Sequence, residues 1–201
     1  MTGKRLCRQD LAIIADMIPP RARVLDLGCG EGVLLRELVE DKGIRAQGVE
    51  IDQEMISRCI ANGVFVIQGN LDDPLDFADD DSFDVVVLSH TLQQVRHPDV
   101  LLKEIVRVGK RAVVSVINFG YYQCRAKLLL TGRMPETEAI PYHWYDTPNI
   151  HLGTRDDFRF LCRKLGIRIV REIPVGGNAL VRFFPNLLAQ SCVFELEKRR
   201  K

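Results

Sequence analysis

The sequence predicts a doubly wound α/β fold, a mostly parallel sheet with helices on both faces. Three observations predict it. Short β-branched runs alternate with helical patterns through the first hundred residues. Those runs put apolar residues on both faces, as strands covered on both sides do. The first of them ends in a glycine-rich turn that opens a helix.

The elements follow in order. Residues 23–27, Arg-Val-Leu-Asp-Leu, read as the first strand. Residues 33–41 place Leu34, Leu35, Leu38 and Val39 on one helical stripe, with Gly43 at the stop. A second strand spans residues 46–51. Asp52 then caps a helix over residues 53–62, whose Met55, Ile56, Cys59 and Ile60 share a face before Gly63. Strands three and four occupy residues 64–68 and 83–88. Pro98 stands in the first turn of the next helix, with Leu101, Leu102, Ile105 and Val106 as its stripe, and residues 111–117 make a fifth strand.

After Asn118 the rhythm breaks. Residues 121–131 suggest a short helix. Residues 132–153 form a long polar-aromatic stretch whose Tyr142, Trp144 and Tyr145, with nearby Phe158, argue for packing. Thr154 and Asp157 have capping-box spacing for a helix over residues 155–165, closed by Gly166. Residues 167–175 and 191–196 read as a final antiparallel edge pair. The terminal Lys198-Arg-Arg-Lys201 reads as a solvated tail.

Length and composition limit the function. At 201 residues the chain makes one domain, expected over residues 1–201 with an insertion at 119–153. Its net charge of +1 supplies no basic field for nucleic acid or anionic lipid. No apolar run nears the roughly 20 residues of a membrane span, and residues 1–10 carry no signal-peptide core. The cysteines at 7, 29, 59, 124, 162 and 192 lack the paired spacing of a metal or dithiol site. They read as reduced thiols in a cytoplasmic protein.

The informative segment is Val24-Leu-Asp-Leu-Gly-Cys-Gly-Glu-Gly32. Its glycines permit a tight turn and close approach of a ligand, a spacing that dinucleotide, nucleotide and methyl-donor sites all share. The charges discriminate. Asp26 and Glu31 flank the place where a dinucleotide would set its diphosphate. A carboxylate ~4 Å from a phosphate costs about 4 kcal/mol, more than a helix terminus returns. The turn, with Gly28 and Gly30, therefore suits the cationic methionine end of S-adenosylmethionine or its demethylated product, S-adenosylhomocysteine. Glu50, ending strand two, suits the two ribose hydroxyls, with Ile51 against the adenine face. Asn70 either pairs with the adenine edge, followed by Leu71, or begins the turn Leu71-Asp-Asp-Pro74. Ser89 stands in the same row of strand ends.

Together, residues 24–32, Glu50, Asn70 and the strand-four segment resemble class I S-adenosylmethionine-dependent methyltransferases, over about the first 118 residues. In that superfamily the first-strand acid and glycines hold the methionine end, and the second-strand acid holds the ribose. Asn70 departs from its frequent Asp. A closer resemblance covers nearly the whole chain. Ser89-His-Thr-Leu-Gln-Gln-Val95, Val106-Arg-Val-Gly-Lys-Arg-Ala112, Asn118-Phe-Gly120 and above all Trp144-Tyr-Asp-Thr-Pro-Asn-Ile-His151 are similar to the MetW family of methionine biosynthesis. That resemblance implies association with a homoserine O-acyltransferase of the MetX type.

Two functions follow. One is a cofactor-binding protein that docks on such an acyltransferase, with the aromatics and Arg125, Lys127 and Arg133 of residues 121–153 either facing the partner or merely covering the sheet. The other is methyl transfer to a small molecule. Transfer from a sulfonium needs positioning more than side-chain chemistry, and a base only where the acceptor must lose a proton. His90, His97, His143 and His151 are the candidates, each more often structural, with His151 the first to test. No catalytic residue and no metal ligand is assigned. A nucleic-acid methyltransferase is disfavoured by the charge balance.

Overall fold

The computed structural model describes residues 9–177 and 179–199. Cys7, residues 1–8 of the signal-peptide reading and the last two residues of the basic tail lie outside them.

The helices and strands run α1 (Gln9–Met17), β1 (Arg23–Leu27), α2 (Val33–Lys42), β2 (Arg45–Glu50), α3 (Gln53–Ala61), β3 (Val66–Gln68) and β4 (Phe83–Ser89). A 3₁₀ turn at Leu92–Gln94 leads into α4 (Pro98–Val108), β5 (Gly109–Ile117) and α5 (Tyr122–Thr131). Then come α6 (Arg155–Lys164), β6 (Ile167–Gly176), β7 (Ala179–Leu180), α7 (Pro185–Leu188) and β8 (Ser191–Lys198).

One sheet holds the eight strands in the order β3-β2-β1-β4-β5-β8-β6-β7. β3 through β5 are parallel, and β8, β6 and β7 add on antiparallel. Alternate residues feed the two faces. Val24, Val85, Val87, Val113 and Val193 meet Ile14, Leu34, Leu35, Leu38 and Cys59 on one side. Leu25, Val86, Leu88, Val114 and Phe194 meet Leu102, Ile105, Phe158 and Cys162 on the other. Burial of a large apolar side chain contributes about 1.5–3 kcal/mol, which is why continuous β-branched runs sit between two helix layers. Asp84 ties three adjacent strands together at their amino ends, accepting from Arg23 N at 2.9 Å and Lys110 Nζ at 2.8 Å.

The predicted caps are present. Asp52 accepts from Glu54 N and Met55 N, Thr154 and Asp157 form a reciprocal capping box, and Gly43 closes α2 in the left-handed region. Other expectations are corrected. Val39 and Ile60 are 42% and 62% exposed, because each stripe is one residue narrower than the pattern implied. The last two long strands do pair, but β8 lies inside, between β5 and β6, and β7 forms the edge. Trp144 and Tyr145 are 74% and 69% exposed and pack on one another rather than into the core. α1, with only Asp10 and Ile14 buried, gives too little periodicity to be read from sequence. Among the described residues no helix is long and apolar enough to cross a membrane.

Candidate functional site

Strand order reverses between β1 and β4, and open α/β sheets bind ligands at the carboxyl ends beside such a switch. β1 ends at Leu27 and the chain turns sharply, with φ of 75° at Gly28 and 55° at Gly30. Gly28 N and Cys29 N both donate to Val49 O, at 2.8 and 3.1 Å, fixing the turn against β2. A Cβ on Gly28 would stand 2.7 Å from Thr91 Oγ1, so this glycine serves packing. A Cβ on Gly30 meets nothing within 4 Å, so this glycine faces open space.

Glu50 ends β2 and its carboxylate is heavily engaged. Oε1 accepts from Ile51 N at 2.8 Å and Asp52 N at 3.1 Å, and Oε2 accepts from Gly30 N at 2.9 Å. A carboxylate offers about four acceptor positions, so Glu50 is anchored with capacity remaining.

These ends enclose a cleft of about 530 Å³, within the range of small-molecule sites. Gly28, Glu50, Ile51, Asn70, Leu71 and Ser89 line it, so six of the eight sequence-predicted residues meet there. Ile51 is 59% exposed, an apolar side chain at the mouth. Asn70 lines the cleft and also makes the turn, since its Oδ1 accepts from Asp72 N at 3.0 Å. Asp26 and Gly30 are absent from the lining. Asp26 is buried in β1 beneath the turn, and Gly30 stands beside Glu50.

The charge around the turn differs from the expected pattern. Glu31 does not face the cleft; it pairs with Arg58 at 2.5 Å on the far side of the turn, and Arg58 also holds Glu54. The carboxylates in the cleft wall are Glu50 and Asp72, with Arg96 opposite in sign. Asp72 Oδ1 accepts from Arg96 N at 2.7 Å. Half-buried Cys29 in the turn and buried Cys59 of α3 bring their Sγ atoms to 4.0 Å. Desolvation, with the neighbouring carboxylate Asp26, pushes the Cys29 thiol far above its ordinary value, so it stays neutral.

His90, Thr91, Gln94 and Arg96 also line the cleft and were not singled out for it. Their signal was available: they belong to the Ser89–Val95 motif and its next residue, directly after β4. His90 holds a φ of 55°, a conformation costing a non-glycine residue about 1–2 kcal/mol. Ser115 supports it, its O and Oγ each accepting from His90 N at 3.1 Å. His90 Nε2 is 3.4 Å from Asp10 Oδ2, and Ser89 Oγ and Ser115 Oγ donate to the same oxygen at 3.3 Å. His151, the first of the histidines to test, lies elsewhere. It lines a separate apolar pocket with Gln93 and Phe158, its Nε2 3.4 Å from Arg96 O. His143 stacks on Tyr145 and pairs with Glu136, and His97 precedes α4.

Buried Gln93 fastens the long aromatic segment over the sheet. Its Oε1 accepts from Ile117 N at 2.8 Å, and its backbone O accepts from Ile150 N and His151 N at 2.9 and 3.0 Å. Ile117, Tyr121, Cys124 and Ile140 form a small apolar cluster beneath the segment. Between segment and sheet lies a second recess of about 420 Å³, sharing His90 and Gln94 with the cleft.

Comparison with known proteins supplies the context. A family model described as methionine biosynthesis protein MetW matches residues 8–196. A bifunctional methionine biosynthesis protein MetXA/MetW of Rhodopirellula baltica is 36% identical over 169 residues, 80% of this chain. The aligned part is 27% of that relative's length. Among solved structures, an S-adenosylmethionine-dependent methyltransferase of Thermotoga maritima, described as a possible histamine N-methyltransferase, superposes with a TM-score of 0.71 at 20% identity. The match covers 94% of this chain and 87% of that one. A second methyltransferase, from Archaeoglobus fulgidus, gives 0.70 at 19% identity, covering 94% and 91%. At those identities the likeness is one of fold.

Proposed function

The chain belongs to the MetW family, and we propose that it is an S-adenosylmethionine-binding protein of methionine biosynthesis that acts with, and activates, a homoserine O-acyltransferase of the MetX type. The observation that carries the cofactor half is the convergence of Gly28, Glu50, Ile51, Asn70, Leu71 and Ser89 on one cleft at the switch point. The residues suit the group. Glu50 is a carboxylate for vicinal hydroxyls, Ile51 offers an apolar face to a base, and the space at Gly30 admits a ligand against the backbone. S-adenosylmethionine, when bound, supplies a methyl group on a sulfonium. The chain's own residues bind and orient it, Asp26 adding buried negative charge beneath the turn.

The partner half is supported by the relative whose name joins MetXA to MetW and of which this chain matches 27%. In this reading residues 1–201 form one domain, and residues 119–153 are the insertion that meets the acyltransferase. Leu129, Leu130, Trp144 and Tyr145 are exposed there, and the two aromatics are of the kind that interface centres favour. Because linkage is reciprocal, a cofactor that changes docking has its own affinity changed by the partner. The test is acyltransferase activity titrated with this chain, with and without S-adenosylmethionine or S-adenosylhomocysteine. Activity should rise with the chain; activity unmoved by it would overturn the proposal.

Methyl transfer to a small molecule is the second reading, favoured by the recess that shares His90 and Gln94 with the cleft. It requires consumption of the methyl donor that depends on an added acceptor.

A further inference from the structure

We infer that the apolar pocket between α6, the end of β5 and the turn after β4 binds a small uncharged hydrocarbon, an aryl or branched alkyl body of about six carbons. The pocket has a volume of about 120 Å³. His151, from the most specific motif of the sequence, stands in its wall, a histidine that the proposed function leaves without a chemical role. The inference goes beyond that function and does not depend on it.

The floor of the pocket is carbon. Leu92, Val116, Ile117, Phe158 and Leu161 supply it, and all but Leu161 are buried. They come from the 3₁₀ turn, β5 and α6, so the shape is formed before any ligand arrives. The polar groups of the wall are committed elsewhere. Gln93 Nε2 donates to Ile117 O at 3.2 Å and His151 O at 3.3 Å, and Gln93 Oε1 accepts from Ile117 N at 2.8 Å. Thr154 and Asp157 bond one another in the capping box of α6, and His151 Nε2 is 3.4 Å from Arg96 O. A trapped water needs about two to four polar partners, so hydration of this pocket gains little. Apolar atoms facing such a space lack packing partners on one side, and an arriving hydrocarbon supplies them.

Size and charge set the class. An apolar cavity of roughly 150 Å³ stays dry and takes benzene. At about 120 Å³ and open on one side, this pocket seats a body of that kind with one edge in the mouth. No lysine or arginine lines it among the described residues, so an acid would exchange its hydration for carbon. An ammonium would meet only Asp157, whose Oδ2 already accepts from Thr154 N at 3.0 Å and Thr154 Oγ1 at 2.7 Å. Occupancy also reaches the aromatic segment. His151 and Gly153 stand in the wall, and Ile150 N and His151 N donate to Gln93 O. A ligand packed on that wall binds the fastened state and so braces the segment.

The experiment titrates the full chain with benzene, benzoate and cyclohexylamine at neutral pH, followed by methyl NMR. Benzene should shift the methyls of Leu92, Val116, Ile117 and Leu161 saturably and leave Val24 and Leu35, in the opposite core layer, unmoved. The two charged probes should bind at least about tenfold more weakly. Benzene at about ten times its dissociation constant should slow amide exchange at His151 about tenfold. Leu161→Trp, on a partly exposed position of α6, fills the pocket and should abolish the benzene shifts. Leu161→Ala enlarges it and should move the preference from benzene toward toluene; this variant decides if Leu161→Trp fails to fold. Shifts that never saturate, shifts spread equally over both core layers, a charged probe bound as tightly as benzene, or either variant behaving as wild type would overturn the inference. That failure would leave the cofactor and partner readings intact.

Discussion

The backbone N–H of Gly30 donates to Glu50 Oε2 at 2.9 Å, so the acid that ends the second strand also holds the turn that follows the first. Glu50 carries three such bonds, and two ribose hydroxyls would compete for what remains of its acceptor capacity. Ligand binding at Glu50 and the position of the Gly30 turn are thereby coupled. The Gly30 amide resonance should be among those most displaced by S-adenosylmethionine, and an unmoved Gly30 would argue against contact at Glu50.

Glu50→Gln should lower affinity for S-adenosylmethionine about 10- to 100-fold, since charged hydrogen bonds contribute about 1.5–3 kcal/mol each. Its melting temperature should fall only a few degrees, because Glu50 lies at the end of its strand. Calorimetric titration and thermal melts on the same sample separate the two effects.

Gly28 and Gly30 should respond differently to alanine. Gly28→Ala combines a left-handed φ with a clash at 2.7 Å against Thr91 and should lower stability by roughly 2–4 kcal/mol. Gly30→Ala meets open space, so only the backbone cost of about 1–2 kcal/mol applies, and the larger loss should appear in ligand binding. Urea unfolding read beside binding distinguishes them.

How much of this was legible in the sequence depended on how local each signal was. Strands, caps and the glycine turn announce themselves within a few residues, as Asp52 and the Thr154–Asp157 pair show. The convergence of Glu50, Asn70 and Ser89 was legible because strand ends in an α/β sheet share one edge. Glu31 was misread because its partner, Arg58, is 27 positions away in α3, and only the folded chain shows the charge neutralised. The different surroundings of His90 and His151 were hidden for a related reason. What separates them is a backbone turn at His90 and a contact to Asp10, 80 positions earlier. The exposure of Trp144 and Tyr145 was equally hidden, since aromatic content alone does not say which surface is covered.

Gln93→Leu should loosen the aromatic segment. It strips the side-chain acceptor from the buried Ile117 N–H and removes the donor to Ile117 O and His151 O. The expected cost is about 1–3 kcal/mol for the orphaned group. Amide exchange should accelerate at residues 149–153 more than in β1 or β4; uniform acceleration would contradict a local clamp.

Stability should depend on acid through Glu104. Two Arg107 N–H groups, at 2.9 and 2.7 Å, hold its carboxyl below the ordinary value of 4.5. A carboxyl lowered in the folded state contributes stability above its unfolded value, lost as pH falls through the folded one. Glu104→Gln should therefore be less stable than wild type near neutrality, with the gap closing below about pH 4.5. Denaturant midpoints measured between pH 7 and pH 3 check the sign, and a gap that widens in acid would refute it.

In the proposed function the cleft at the switch point holds a sulfonium nucleoside and not a dinucleotide. Calorimetric titration of the full chain with S-adenosylmethionine and, separately, with NAD tests it most directly. One S-adenosylmethionine bound per chain with no detectable heat from NAD is the predicted result; no S-adenosylmethionine binding, or NAD bound as tightly, would contradict it.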